Sequence, residues 1–166
     1  LCERDGYTKL SIRSLAKESN VSQTAPYRHF KTKEDLYAAI TKEGFDKLNK
    51  EMSSITSKNS KDYLINCGKS YIDFGLKNAN TYDLMFGTAV GNYADYPELS
   101  DSANNLFQIL LSNFKKLSND NDETVAFKCI TLWSMVHGLV GIIRKVNIAG
   151  DNNKTGPMPF AGQISK

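Results

Sequence analysis

The sequence predicts an all-α protein, on three observations. Apolar residues recur at three- to four-residue spacing in one segment after another. Polar clusters rich in Ser, Asn, Asp and Gly separate those segments. Near the amino terminus, two short helical stripes meet at a tight turn with basic side chains around them, which is the helix-turn-helix pattern. The expected architecture is a three-helix helix-turn-helix domain over residues 1–50, joined by a long helix to a carboxy-terminal helical bundle over residues 51–166.

Residues 12–19 carry Ile12, Leu15 and Ala16 on one face, with Ser11 placed to cap. Asn20, Val21 and Ser22 read as a turn. Ser22 then caps a second short helix running to about Phe30, with Pro26 close enough to its start that the missing N–H costs little. Thr32 opens the run TKED, a cap followed by acidic residues in the first turn, which suits the helix dipole. The long helix that follows bears Leu36, Ile40, Phe45, Leu48, Met52 and Ile55. The polar stretch SSITSKNSK at 53–61 is the domain boundary.

Beyond it, residues 62–77 carry Leu64, Cys67, Tyr71 and Phe74, and 78–86 form a shorter aromatic-rich helix. Residues 87–97 read as a loop. The clearest amphipathic helix spans 97–117, with Leu99, Ala103, Leu106, Leu110, Phe114 and Leu117 on one stripe. Residues 123–147 are apolar around most of the circumference, including Val125, Ile130, Trp133, Val136, Val140 and Ile143, so this helix is expected to be covered on more than one side. The tail beyond residue 150 is expected to lack long regular structure.

Composition narrows the class. With 166 residues, 40% hydrophobic and 23% charged, the chain is long and apolar enough to fold by burial alone. Cys2, Cys67 and Cys129 are odd in number and lack CxxC spacing, which argues against a disulfide framework or zinc site and for a reducing cytoplasm. No uninterrupted apolar run approaches the roughly 20 residues of a membrane span, and LCERDGYTK shows no signal-peptide pattern, so no membrane partner is expected. There is no HExxH, no GxSxG, no Gly-rich phosphate loop, and the two histidines, His29 and His137, are far apart. No catalytic residues, metal or cofactor are expected.

The net charge of +3 is concentrated at one end. Residues 1–33 hold Arg4, Lys9, Arg13, Lys17, Arg28, Lys31 and Lys33 against Glu3, Asp5 and Glu18, whereas the rest is nearly neutral. A basic end on a neutral body is the footprint of contact with a polyanion.

The stretch GYTKLSIRSLAKESNVSQTAPYRHFKTKEDLYAAI at 6–40 resembles the amino-terminal DNA-binding domain of the TetR family, with VSQTAPYRHFKTKEDL its most specific part. YDLMFG at 82–87 and LWSMVHGL at 132–139 look like the subgroup whose carboxy-terminal domain is named for a Trp-His-Gly signature, here Trp133, His137 and Gly138. The family's first helix normally begins some residues earlier, so this chain is expected to start inside it. Leu10 sits where many members have Thr.

The resemblance implies a regulator, usually a repressor, that binds palindromic double-stranded operator DNA as a homodimer and is released by a small-molecule effector. Gln23, Thr24 and Ala25 would approach base edges, with Tyr27 and His29 against the DNA backbone. Lys33 would meet a phosphate assisted by the amino end of its helix. Ser11, Arg13, Ser22 and Arg28 are further contacts it implies. The last two long helices would form the dimer seam, through Leu106, Leu110, Phe114, Val136, Val140 and Ile143.

Residues of the body leave two readings open. Tyr71, Phe74, Tyr82, Met85, Phe86 and Met135 form a set that could build an effector pocket or an ordinary core. Trp133 and His137, one turn apart, line a pocket or pack at a subunit seam, packing being the commoner role of aromatic residues at this spacing. A rival for the whole chain is a helical ligand-sensing and dimerisation module without working DNA binding.

Overall fold

The computed structural model describes residues 1–57 and 59–151, and the side chains of these except those of 60, 117 and 146–151. Among the described residues it holds seven α-helices: α1 (Cys2–Asp5), α2 (Ile12–Glu18), α3 (Lys33–Ser53), α4 (Ser60–Lys77), α5 (Ala79–Phe86), α6 (Pro97–Leu117) and α7 (Asp122–Asp151). Three 3-10 turns, Tyr7–Lys9, Ala25–Arg28 and Tyr93–Asp95, connect them. The tail beyond residue 150, expected to lack long regular structure, lies outside the described residues from 152 on.

Local chemistry sets the helix ends of the head. Ser11 and Ser14 form a reciprocal capping box on α2: the Ser14 N–H donates to Ser11 Oγ at 3.0 Å, and the Ser11 N–H donates to Ser14 Oγ at 2.9 Å. α2 ends in a Schellman motif, with Val21 N–H reaching Ala16 O and Asn20 at φ 53°. Asparagine tolerates that left-handed conformation better than most residues, so it turns the chain toward the next segment. Thr32 and Asp35 repeat the capping box at the start of α3.

One element differs from the expectation. The segment after the turn forms a 3-10 turn over Ala25–Arg28 rather than a helix from Ser22 to Phe30. The Ser22 hydroxyl faces the Thr24 hydroxyl at 3.3 Å instead of capping an N–H. Pro26, lacking an N–H, removes one helical hydrogen bond from a segment with very few to spare.

α3 is the central strut. Its carboxy-terminal half packs on α5 and α6, with Leu48 and Met52 buried in the core beside Phe74, Leu84 and Leu99. The Asn49 side-chain amide donates to Ser102 O at 2.8 Å, and the Ser102 hydroxyl donates to Asp46 Oδ1 at 2.6 Å, which pins α3 to α6. Two glycines permit close helix approach. A Cβ on Gly44 would stand 2.6 Å from Thr81 Cγ2, and one on Gly75 would stand 2.7 Å from Val140 Cγ1. The long helix therefore serves head and body at once.

α7 is covered on one side only. Val125, Cys129 and Val140 are buried against the protomer, whereas Phe127 is 71% and Met135 67% exposed, with Ile130 and Ile142 also exposed. By length and composition alone, Asp122–Lys145 is apolar enough to cross a membrane, although Lys128 and Arg144 interrupt the apolar run.

Candidate nucleic-acid interface and body cavity

α2, the 3-10 turn and the start of α3 build the face of the head. Arg13, Ser22, Gln23, Thr24, Tyr27, Arg28, His29 and Lys33 are exposed there, while Ser11 and Ala25 are half-buried. Arg13 and Gln23 border a groove of about 450 Å³ together with Lys17. Ser11 already uses its hydroxyl oxygen as the α2 cap. Leu10 is buried in the core and faces no phosphate.

The charges sort themselves by pairing. Arg4 is held by Asp5 at 2.9 Å and Glu18 at 2.7 Å. Lys9, Arg13, Lys17, Arg28, Lys31 and Lys33 make no ion pair among the described residues. Lys33 Nζ donates to Thr8 O at 3.1 Å and lies 5.2 Å from the Tyr37 ring centre, which fixes the ammonium and leaves two of its three donors for an anion. At the same helix end, the Asp35 carboxylate accepts from the N–H groups of Lys31 at 2.8 Å and Thr32 at 2.9 Å. The Thr32 backbone bond in particular holds the Asp35 carboxyl below the usual carboxylate range. Among the described residues, the N–H groups of Lys33 and Glu34 have no partner at this end, whereas that of Asp35 is taken by Thr32 Oγ1.

The body holds a cavity of about 390 Å³, partly open to solvent, between α3, α5, α6 and α7. Phe45, Met85, Phe86, Tyr93, Ala103, Leu106, Phe107, Leu110 and Trp133 line it, with Gly87 at its edge. Of the residues expected there, Met85, Phe86 and Trp133 are on the wall. Tyr71, Tyr82 and His137 stand off the wall, and Phe74 is fully packed in the core. Phe45, Tyr93, Ala103 and Phe107 were not foreseen. Ala103 was legible as part of the α6 stripe, but the other three needed the packing of α3, α6 and the 87–96 segment around one void.

Trp133, Tyr71, Tyr82 and His137 form a hydrogen-bonded chain. The Trp133 indole N–H donates to Tyr71 Oη at 3.0 Å, the two tyrosine hydroxyls are 3.1 Å apart, and Tyr82 Oη lies 2.6 Å from His137 Nδ1. Tyr71 Oη is also 3.1 Å from His137 Nδ1. Burial pushes the His137 imidazole below its ordinary pKa and the tyrosines above theirs, so the neutral forms are favoured. With neutral His137 as the Nε2–H tautomer, Nδ1 accepts from Tyr82, which accepts from Tyr71, which accepts from Trp133.

The six residues expected at a subunit seam divide. Leu106, Leu110 and Val140 are buried inside the protomer, two of them on the cavity wall. Phe114, Val136 and Ile143 are half-buried. The open apolar face lies elsewhere on α7, at Phe127, Ile130, Met135 and Ile142, because the 97–117 stripe is consumed by α3. Gly138 and Gly141 on the same helix are exposed, with open space around each.

Contacts tie head to body. The Glu3 carboxylate accepts the N–H groups of Asn80 at 3.1 Å and Thr81 at 2.8 Å, at the amino end of α5. Glu34 accepts from the Gly91 N–H at 2.8 Å, and Tyr96 Oη donates to Asp35 at 3.4 Å.

A helix-turn-helix head with unpaired cations, carried on a helical body, defines a DNA-binding regulator of transcription. Residues 1–40 match the family described as bacterial regulatory proteins, tetR family, and residues 64–150 match the tetracyclin repressor-like carboxy-terminal domain. The chain belongs to the TetR family, whose members are DNA-binding regulators and not enzymes. Its fold is similar to that of a protein of unknown function from Rhodococcus sp. RHA1, at TM-score 0.75 and 19% identity, covering 99% of this chain and 84% of that one. It is also similar to a possible TetR family transcriptional regulator from Streptomyces coelicolor A3(2), at TM-score 0.67 and 16% identity, covering 99% and 74%. No curated protein matches.

Proposed function

We propose that the protein is a cytoplasmic transcriptional repressor that binds palindromic operator DNA as a homodimer and is released when a small molecule enters the body cavity. The observation that carries this reading is the head's face of unpaired cations around exposed Gln23, Thr24 and Tyr27. Arg13, Arg28 and Lys33 would hold phosphates, and the open N–H groups at the start of α3 would assist. Gln23 would pair with adenine, and the Thr24 methyl would touch a thymine methyl, each worth about 1–3 kcal/mol of discrimination. His29, Ser22 and Ser11 would border the DNA backbone, and Ala25 a base edge.

The dimer rests on α7. Phe127, Ile130, Met135 and Ile142 leave an apolar face open beside Gly138 and Gly141, which give a second helix room to approach. Thr131, Ser134 and Lys128 interrupt that face, which suits a partner helix better than lipid. In this reading residues 1–50 are the DNA head and 51–166 the effector and dimerisation domain, with two heads about 34 Å apart on one face of the duplex.

Cavity occupancy would reach the head through α5 and the 87–96 segment. α5 has its amino end on Glu3 and its carboxy end on the cavity, and the 87–96 segment touches the cavity at Gly87 and Tyr93 and the head at Gly91, through Glu34. A ligand that binds one arrangement of these contacts better shifts the population toward it, and the separation of the heads changes.

The test is selection of bound sequences from random-site duplexes, followed by fluorescence anisotropy at two salt concentrations. A palindrome bound with steep salt dependence, and weakened at least about tenfold by Gln23→Ala or Arg13→Ala, is the expected result. Sequence-blind binding would instead make the chain a ligand-sensing module without working DNA recognition.

A further inference from the structure

We propose that the body cavity takes an uncharged aromatic molecule of one or two rings, bound without a hydrogen bond to any side chain. This rests on the effector reading above and names the class of ligand it requires. Every side chain on the wall is apolar except at two atoms, and both are already engaged. Tyr93 Oη donates to Met85 O at 2.6 Å, and the Trp133 indole N–H donates to Tyr71 Oη at 3.0 Å. Behind Trp133 the chain through Tyr71 and Tyr82 ends on His137, so this donor is held from outside the cavity rather than left to face it. Among the described residues, no Asp, Glu, Lys, Arg or His lines the cavity. A charged ligand would find neither a counter-charge nor a hydrogen bond there, and desolvation would oppose its entry.

The rings around the void favour aromatic over saturated ligands. Phe45 meets Phe86 edge-to-face at 5.7 Å and Tyr93 at 6.2 Å, and Phe86 stands 6.0 Å from Trp133 at a 53° tilt. Edge-to-face contact is a preferred geometry of aromatic pairs, so an inserted ring continues an existing pattern. A volume of about 390 Å³ lies near the lower end of the ~300–1,000 Å³ typical of ligand pockets, which limits the occupant to one or two rings.

Trp133 is the only tryptophan, so its emission reports on the cavity directly. The experiment titrates the full chain with 4-methylbiphenyl, biphenyl-4-carboxylate, 4-aminomethylbiphenyl and the saturated bicyclohexyl, exciting at 295 nm. Saturable change with 4-methylbiphenyl, at a Kd at least tenfold below those of the other three, is expected. Ala103→Leu, which narrows the void, should weaken that binding at least tenfold; Leu110→Phe, from another part of the wall, is used if Ala103→Leu loses its helical circular dichroism. Equal or tighter binding of a charged analogue overturns the ligand class, and equal binding of bicyclohexyl overturns its aromatic character, with the effector reading intact in both cases. Tight binding of 4-methylbiphenyl with no change in DNA affinity overturns the effector reading and leaves the ligand class standing. No saturable response to any probe, or a response unmoved by either cavity variant, overturns the cavity as a ligand site.

Discussion

Glu34, one residue into α3, accepts the backbone N–H of Gly91 at 2.8 Å. That bond ties the start of the helix that carries Lys33 to a segment whose other residues, Gly87 and Tyr93, touch the cavity. The Tyr96 hydroxyl, 3.4 Å from Asp35, is a second tie one residue further along. Removing both with Glu34→Ala and Tyr96→Phe should free the front of α3 without disturbing its buried half. Amide hydrogen exchange at residues 31–36 is expected to accelerate by about tenfold, a local opening made easier by ~1.4 kcal/mol, while α6 amides keep their protection. Unchanged exchange at 31–36 would show that the capping box alone holds the helix start.

Asp35 makes the head's stability depend on pH. The Thr32 N–H, first among its partners, lowers the Asp35 carboxyl pKa in the fold below its unfolded value. A depressed carboxylate pKa contributes stability that is present above the unfolded pKa and lost as pH falls through the folded one. The melting temperature of the wild type is therefore expected to fall as pH drops below about 4 and through the lower folded pKa, beyond any general acid loss. Asp35→Asn should melt lower at neutral pH, by ~2–4 °C for a cap worth about 1 kcal/mol in a chain of this size, and should show a shallower acid slope. Parallel slopes in the two proteins would remove Asp35 as the source.

How much of this was legible beforehand depended on whether the relevant force was local. The caps Ser11 and Thr32, the turn at Asn20 and the limits 97–117 of α6 follow from side chains acting on their own backbone, and the structure has them where the sequence puts them. The second helix of the head failed as a local reading because one proline and one hydroxyl pair outweighed a weak propensity. The apolar stripes were legible as stripes, but not their destination. Leu106 and Leu110 look the same on the page whether they face α3 or a second subunit, and only the packing assigns them to the protomer. The Glu3 and Glu34 contacts join residues 57 or more positions apart, and nothing in either stretch alone announces them.

The α7 face yields a prediction about assembly. Met135 and Ile130 are exposed in the middle of an apolar stripe that a second copy would cover. Replacing either by Glu would place a charge near its own symmetry mate in a desolvated seam. Dimer affinity measured by analytical ultracentrifugation should fall at least about 100-fold, equivalent to ~3 kcal/mol for an unpaired buried charge. Helical circular dichroism of the monomer should stay unchanged, because neither side chain supports the protomer core. A dimer that persists in both variants would move the seam off this face.

His137 gives the body a pH response of its own, with the same sign as that of Asp35 but in a higher window. Burial depresses its pKa below the unfolded 6.5, so the folded state resists a proton that the unfolded chain accepts. Stability is full above about 6.5 and declines as pH falls through the folded pKa. Geometry reinforces the burial: a proton on Nδ1 would face the Tyr82 hydroxyl at 2.6 Å and force the chain through Tyr71 to reverse. The Arg144–Asp83 pair, two turns further along α7, is bidentate at 2.6 and 2.8 Å and carries no net charge, so it does not change the sign. Between pH 7.5 and 5.5 the wild type should therefore lose melting temperature and shift its Trp133 emission together. His137→Gln keeps an acceptor for Tyr82 but cannot titrate, so its melting temperature should stay nearly level across that range. A wild type as flat as His137→Gln would mean that His137 takes up its proton equally well in the fold, and the neutral chain from Trp133 to His137 would have to be abandoned.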